Sequence, residues 1–282
     1  MIDAHVHLWD PEVLTYEWLE GSELRRPMLP AEYDRGGVAV DGAVFVQAAD
    51  GPSDPVDEAR WVDGLDWPEL LAIVADADLG SSAVDQHLAA LAGIPRVTGV
   101  RHLLQDLAVD TFPALAPGLP ALAARGGTFD ACLRHAQLPA LIELLREVPD
   151  LTVVVDHVAK PPMSEGIDSV AGAAWARSLA LLAERPRTFV KLSGFTGEAR
   201  DTTEVERHAP AFLAHAVEVF GPERSMIASD WPVSSYFGSG GSFADWVELV
   251  RGVVPAEGWG EVAEGTARRA YLPGGVPALA RG

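Results

Sequence analysis

Cysteine is nearly absent from this sequence: 282 residues hold one, Cys132. A lone thiol excludes an internal disulfide and any thiolate-cluster metal site, so a bound metal must sit on His, Asp or Glu. Lysine is scarce, and positive charge is outnumbered: 21 Lys+Arg stand against 41 Asp+Glu, a formal charge of −20. Such a field disfavours nucleic acid and anionic membranes, and its ordinary role is to solvate the surface. No apolar run reaches the roughly 18 residues that a membrane helix needs, and Met1 is not followed by the basic and apolar regions of a secretory signal. Internal repeats and low-complexity segments are missing too. These absences predict a soluble, cytoplasmic protein without a nucleic-acid or membrane partner.

What is present is a regular alternation. Apolar runs bounded by turn residues predict eight strands, at Ile2–His7, Gly42–Gln47, Leu71–Asp76, Val97–His102, Thr128–Cys132, Leu151–His157, Thr188–Ser193 and Ser225–Asp230. Between them, and after the last, lie segments of helical periodicity: Asp57–Leu65, Ser82–Leu91, Leu115–Arg125, Leu138–Val148, Ala171–Ala183, Val205–Phe220, Phe243–Val254 and Gly260–Ala270. Eight βα units argue for one α/β domain, a closed (β/α)8 TIM barrel spanning residues 1–282. The connection over residues 8–41 is long and carries Trp9, Tyr16 and Trp18, which predicts an ordered flap after the first strand. The turn-rich tail, 272–282, is expected to pack at the barrel bottom or fray.

Polar residues collect where the apolar runs end. His5 and His7 share a face of the first strand by the period-two rule, and imidazole pairs chelate metals or handle protons. Gln47, Asp76, Arg101, His102, Asp130, Asp156, His157, Lys191 and Asp230 sit at the ends of later strands. In a parallel barrel all these ends lie on one rim, where barrel enzymes do their chemistry. Arg101 and His102 are adjacent, so an ideal strand turns only one of them inward. Arg101 either meets substrate or pairs with Asp130 or Asp76. Lys191 either binds a carboxylate or hydroxyl, or is buried and neutralised by a rim acid. Trp9 and Trp231 offer aromatic walls suited to the apolar face of a sugar ring, or simple packing. Cys132 is expected to be a small buried residue.

The motifs Asp3-Ala-His5-Val-His7-Leu-Trp9-Asp10, Val155-Asp-His157 with Lys160-Pro161, and Ser229-Asp-Trp-Pro-Val233, among others, resemble the lactone-hydrolase branch of the amidohydrolase superfamily, the L-fuconolactonase, L-rhamnonolactonase and sulfomuconolactone hydrolase type. The resemblance runs from residue 2 to about Tyr271 and implies a TIM barrel. It implies that His5, His7, His157 and Asp230 are catalytic and hold a divalent cation, usually zinc, with Asp230 taking a proton from the attacking water. Metal-dependent relatives carry a further histidine on strand five, where this chain offers Asp130, and some members of the branch work without a required metal.

The function expected from this resemblance is opening of a small sugar-derived or related lactone to its hydroxy acid, within carbohydrate catabolism. Gln47, Arg101, His102, Asp130, Lys191, Trp9 and Trp231 are the residues expected at the substrate. The alternative is metal-dependent, non-oxidative decarboxylation of an aromatic or unsaturated acid, which the missing strand-five histidine disfavours. A binding barrel without chemistry is the third possibility; retention of His5, His7, His157 and Asp230 together speaks against it.

Overall fold

A computed structural model of the chain describes residues 1–50 and 55–273. Eight parallel strands, β1 (Ile2–Val6), β2 (Gly42–Val46), β3 (Leu70–Asp76), β4 (Val97–Leu103), β5 (Thr128–Cys132), β6 (Thr152–Val155), β7 (Thr188–Leu192) and β8 (Ser225–Ile227), lie in one sheet in sequence order. The sheet closes on itself just beyond β8. Val6 bridges Trp231 in parallel, His7 N donates to Trp231 O at 2.8 Å, and Asp230 N donates to His5 O at 3.0 Å. The result is the (β/α)8 barrel that the alternation of patterns predicts.

The helices are α1 (Pro55–Asp63), α2 (Val84–Ala92), α3 (Gly118–Ala124), α4 (Leu138–Leu144), α5 (Val170–Ala183), α6 (Phe195–Glu198), α7 (Thr202–Phe220), α8 (Val233–Tyr236), α9 (Phe243–Arg251) and α10 (Thr266–Tyr271). Helix α7 shows why they form where they do. Asp201 caps its start by accepting from Glu204 N at 2.9 Å, and Val205, Ala209, Phe212, Leu213, Ala216, Val217 and Phe220 form one buried stripe at helical spacing. Gly221, at φ +73°, ends it. The short helices α6 and α8 follow strands seven and eight directly and carry no periodicity long enough to be read from sequence. No helix among the described residues is long and apolar enough to cross a membrane.

Two apolar layers result from the strand period of two. Ile2, Ala4, Val44, Val46, Ala72, Val74, Val154, Phe189 and Met226 fill the barrel with Tyr271 of α10. Their neighbours, such as Phe45, Ile73, Val100, Phe129, Val155 and Val190, pack outward against the helices. The pairing of β1 with β2 slips between Asp3 and Val6, a bulge that lets His5 follow Ala4 into the interior while Asp3 faces outward.

Segment 8–41 is ordered. Trp9 and Met28 exchange backbone hydrogen bonds at 3.1 and 2.8 Å, and Trp9 Nε1 donates to Leu24 O and Arg26 O, both at 3.0 Å. Tyr16, Leu19, Leu24, Met28 and Tyr33 are buried beneath it. Of the expected C-terminal tail, residues 274–282 lie outside those described.

Candidate active site

Two strands end earlier than their apolar patterns suggest, and both endings build the site. Strand β6 stops at Val155, after which His157, Val158, Ala159 and Lys160 all take left-handed backbone, with φ of 52°, 52°, 56° and 44°. A left-handed conformation costs a non-glycine residue about 1–2 kcal/mol, so four in a row persist only where the surroundings hold them. Here Lys160 N donates to His157 O at 2.8 Å and the buried Trp175 Nε1 donates to Val158 O at 2.9 Å. Beyond β8, Asp230 is again left-handed at φ 56°. These turns swing His157 and Asp230 off the ladder and toward β1.

Asp230 sits at the centre. Its Oδ1 lies 3.6 Å from His5 Nε2, 3.5 Å from His7 Nε2 and 3.7 Å from His157 Nε2, while His5 Nε2 and His7 Nε2 are 3.1 Å apart. Its Oδ2 accepts from Ser234 Oγ at 2.7 Å, and Ser234 N donates to Asp230 O at 3.0 Å. Burial would raise the Asp230 carboxyl, but His157, His7 and His5 outweigh it and hold the group well below the usual carboxylate range. Burial depresses His157 to about 4, and burial together with the Lys191 ammonium lowers His5. The site is an ionised carboxylate among imidazoles, two of which burial keeps neutral at pH 7.

Each imidazole is held from behind. His7 Nδ1 lies 2.8 Å from Val46 O, a carbonyl that only accepts, so Nδ1 carries a proton and Nε2 faces the cluster. His157 Nδ1 pairs with Ser193 Oγ at 2.9 Å. His5 Nδ1 lies 3.1 Å from Lys191 Nζ and 3.4 Å from Asp156 Oδ1. Beneath this layer Lys191 Nζ is 2.6 Å from Asp130 Oδ2 and 2.9 Å from Asp156 Oδ1, and Tyr271 OH donates to Asp130 Oδ2 at 2.6 Å. Burial works against the Lys191 charge, yet Asp130 and Asp156 raise its pKa and keep it an ammonium.

A cavity of about 300 Å³ opens above the cluster. Of the residues expected at the mouth, His7, Gln47, Arg101, His157 and Asp230 line it. His5 lies just below, with no solvent exposure. Asp130 and Lys191, expected at the substrate, are wholly buried under the histidines and spend their charges on each other. His102 turns outward, its Nδ1 3.1 Å from Ala77 O, as strand alternation with Arg101 requires. Trp9 and Trp231 are buried packing residues; Trp231 stacks against Tyr33 at 5.3 Å.

The aromatic wall of the cavity is Trp18, anchored by Nε1 to Ala48 O at 2.8 Å. Arg101 lends its Nε to Gln47 Oε1 at 2.9 Å and its Nη2 to Gln47 O, and its Nη1 lies 3.8 Å from Asp156 Oδ2. Cys132 is buried yet borders the cavity, and burial raises its thiol to about 11. Lys160, Glu198 and Ser234 contribute beyond the expected site residues; Lys160 stands in the Lys160-Pro161 motif but without a role. Ser234 had a signal, a serine four residues after Asp230; Lys160 and Glu198 meet only in space.

The donor set fits a divalent cation. Three buried imidazoles and a carboxylate oxygen lie 3.1–3.7 Å from one another along the pairs above. Tetrahedral zinc with bonds of about 2.0–2.1 Å places its ligand atoms roughly 3.3 Å apart. His5, His7 and Asp230, and likewise His5, Asp156 and His157, are groupings able to hold an ion.

Known proteins share both the chain and the fold. An L-fucono-1,5-lactonase of Burkholderia ambifaria is 36% identical over 181 residues, 63% of this chain; the chain spans 61% of that relative's length. An L-fucono-1,5-lactonase of Burkholderia multivorans is 30% identical across 98% of this chain and 94% of its own. Among solved structures, an amidohydrolase of Burkholderia multivorans with bound zinc superposes with a TM-score of 0.82 at 27% identity, covering 96% of this chain and 98% of that one. The amidohydrolase family model matches residues 2–272, and this chain therefore belongs to the amidohydrolase family.

Proposed function

We propose that the chain is a lactonase that opens a small sugar-derived lactone to its hydroxy acid at the mouth of its barrel. The observation that carries this reading is the Asp230 carboxyl group at the cavity floor, its Oδ1 ringed by three imidazoles within 3.7 Å. The kinship with two L-fucono-1,5-lactonases supplies the substrate class. Residues 1–282 act as one catalytic unit, working in the cytoplasm, with segment 8–41 contributing Trp18 to the cavity wall.

In this reading Asp230 is the general base. Its Oδ2 is occupied by Ser234, which leaves Oδ1 to take the proton of an attacking water. His7 and His157, fixed through Val46 and Ser193, orient that water. Arg101, held rigid by Gln47, sets a positive charge on the cavity wall against the negative charge that develops on the lactone carbonyl oxygen. Trp18 offers a face for the apolar side of a sugar ring. A divalent cation, which we assign as zinc, would be held by His5, His7, His157 and Asp230 and when bound supplies polarisation of the carbonyl and acidification of water.

The test is a pH-indicator assay of aldonolactones and simple γ- and δ-lactones, with bound metal quantified before and after chelation. Acid release that chelation abolishes and zinc restores establishes the metal-assisted form; release that survives chelation leaves Asp230 and the histidines acting alone. A chain that opens no lactone under either condition is not a lactonase.

A further inference from the structure

The sequence contains two lysines, Lys160 and Lys191, while every other strong cation is arginine. Lys160 lies at the barrel mouth and Lys191 beneath it. Lys191 is consumed by Asp130 and Asp156. Lys160 is not: its ammonium borders the cavity with its side chain 15% exposed, and among the described residues it meets one acceptor, Glu198 Oε1 at 2.7 Å. An ammonium has three N–H bonds to give. The other cation on the cavity wall, Arg101, already donates to Gln47 and faces Asp156.

Glu198 does not depend on Lys160. Its Oε2 lies 3.6 Å from the half-exposed Arg134 Nη1, a second cation able to take over the carboxylate. Lys160 in turn is fixed from below. It ends the left-handed turn that carries His157, and its carbonyl lies 3.0 Å from His135 Nδ1. A fixed cation on the cavity wall therefore holds an internal carboxylate that has an alternative partner waiting.

We propose that Lys160 is the centre of a carboxylate subsite in the cavity, in which Glu198 is a resident stand-in that passes to Arg134 when a ligand carboxylate arrives. This rests on the lactonase reading for its substrate. The carboxylate comes from one of two sources: the hydroxy acid formed by ring opening, or an acid group carried by the lactone itself. Charge-assisted N–H···O bonds to either are of the kind Glu198 now makes.

Calorimetric titration of the whole chain with gluconate and with the uncharged glucitol tests the subsite without requiring turnover. Wild type is expected to bind gluconate at least about tenfold more tightly than glucitol. Lys160→Met should abolish that difference, and Glu198→Gln, which removes the competing carboxylate, should tighten gluconate several-fold. Met at position 160 meets the same left-handed backbone as Lys; if it nonetheless fails to fold, Glu198→Gln decides alone. Equal binding of the two polyols, gluconate binding unchanged in Lys160→Met, or no tightening in Glu198→Gln overturns the subsite.

Kinetics then separate the sources. Inhibition by the product acid that Lys160→Met relieves assigns the carboxylate to the product. A preference of wild type for a carboxymethyl-substituted butenolide over a neutral aldonolactone, lost in Lys160→Met, assigns it to the substrate. Carboxylate binding in a chain that opens no lactone defeats the lactonase reading and leaves the subsite standing.

Discussion

At the scale of single residues, Asp230 carries the most weight because the three histidines and Ser234 all converge on its two oxygens. Asp230→Asn keeps the shape and removes the base. Hydrolysis should fall about 10²–10⁴-fold with the thermal unfolding midpoint within a few degrees of wild type, read by indicator assay and circular dichroism. Ser234→Ala is milder. It releases Asp230 Oδ2 from its 2.7 Å hydrogen bond and lets the carboxylate rotate, so kcat should drop roughly tenfold while KM moves little. An unchanged kcat would mean that the histidines alone orient the base. The roles proposed for His5, His7, His157 and Asp230 follow from the family resemblance, but the partners that orient them come from β2 (Val46), from β7 and the residue just past it (Lys191 and Ser193) and from α8 (Ser234). No local pattern links those positions.

At the scale of elements, the left-handed turn after β6 is the most informative departure from the sequence pattern. The apolar run from Leu151 reads as strand through His157 because burial on both faces looks alike in strand and turn. What ends the strand is the need to bring His157 back over the barrel axis, and what holds the turn is Trp175 on α5. Trp175→Phe preserves the ring and deletes the donor to Val158 O. It should cost about 1–3 kcal/mol in urea denaturation for the orphaned carbonyl and lower kcat as His157 loosens.

Helix α1 carries a pH dependence of its own. Glu58 is buried against the backbone N–H groups of Ala48 and Ala49, just after Gln47, and burial pushes its carboxyl up to about 8 from an ordinary 4.5. A carboxyl whose pKa is higher in the folded than in the unfolded state binds more protons when folded. Its contribution is therefore greatest below pH 4.5 and declines as pH rises toward about 8. Glu58→Gln, which mimics the protonated form, should flatten the unfolding midpoint between those limits. A slope of the same size in the variant would remove Glu58 as its source.

At the scale of the whole molecule, the barrel is completed by one seam, and Asp3 is its clasp. From the outward face of β1 its Oδ1 accepts from Ser229 N at 2.8 Å and His5 N at 3.3 Å, and its Oδ2 accepts from Tyr33 OH at 2.5 Å. The carboxylate thus ties the strand that bears His5 to the turn that bears Asp230. Asp3→Ala should destabilise the fold by about 1–3 kcal/mol for each buried donor left without a partner. It should lower kcat as well, since both sides of the cluster are released. Stability lost with kcat intact would show that the seam closes the barrel without positioning the site.

Strand and helix periods were sufficient by themselves to define a (β/α)8 barrel, and the polar residues that end the apolar runs, beginning with His5 and His7, to point at its carboxyl-end rim, while the charge balance and the single cysteine set only exclusions. Those features are local or compositional, and burial on a repeating unit writes them directly into the chain. Only the tertiary structure decided that Lys191 and Asp130 lie beneath the cluster, that His102 faces away, and that Trp18 rather than Trp9 or Trp231 borders the cavity. It also decided that Lys160 meets Glu198. A side chain's neighbours across a barrel are set by bulges, left-handed turns and the closure of the sheet, which join residues as far apart as Asp3 and Ser229, and no periodicity in sequence encodes that meeting.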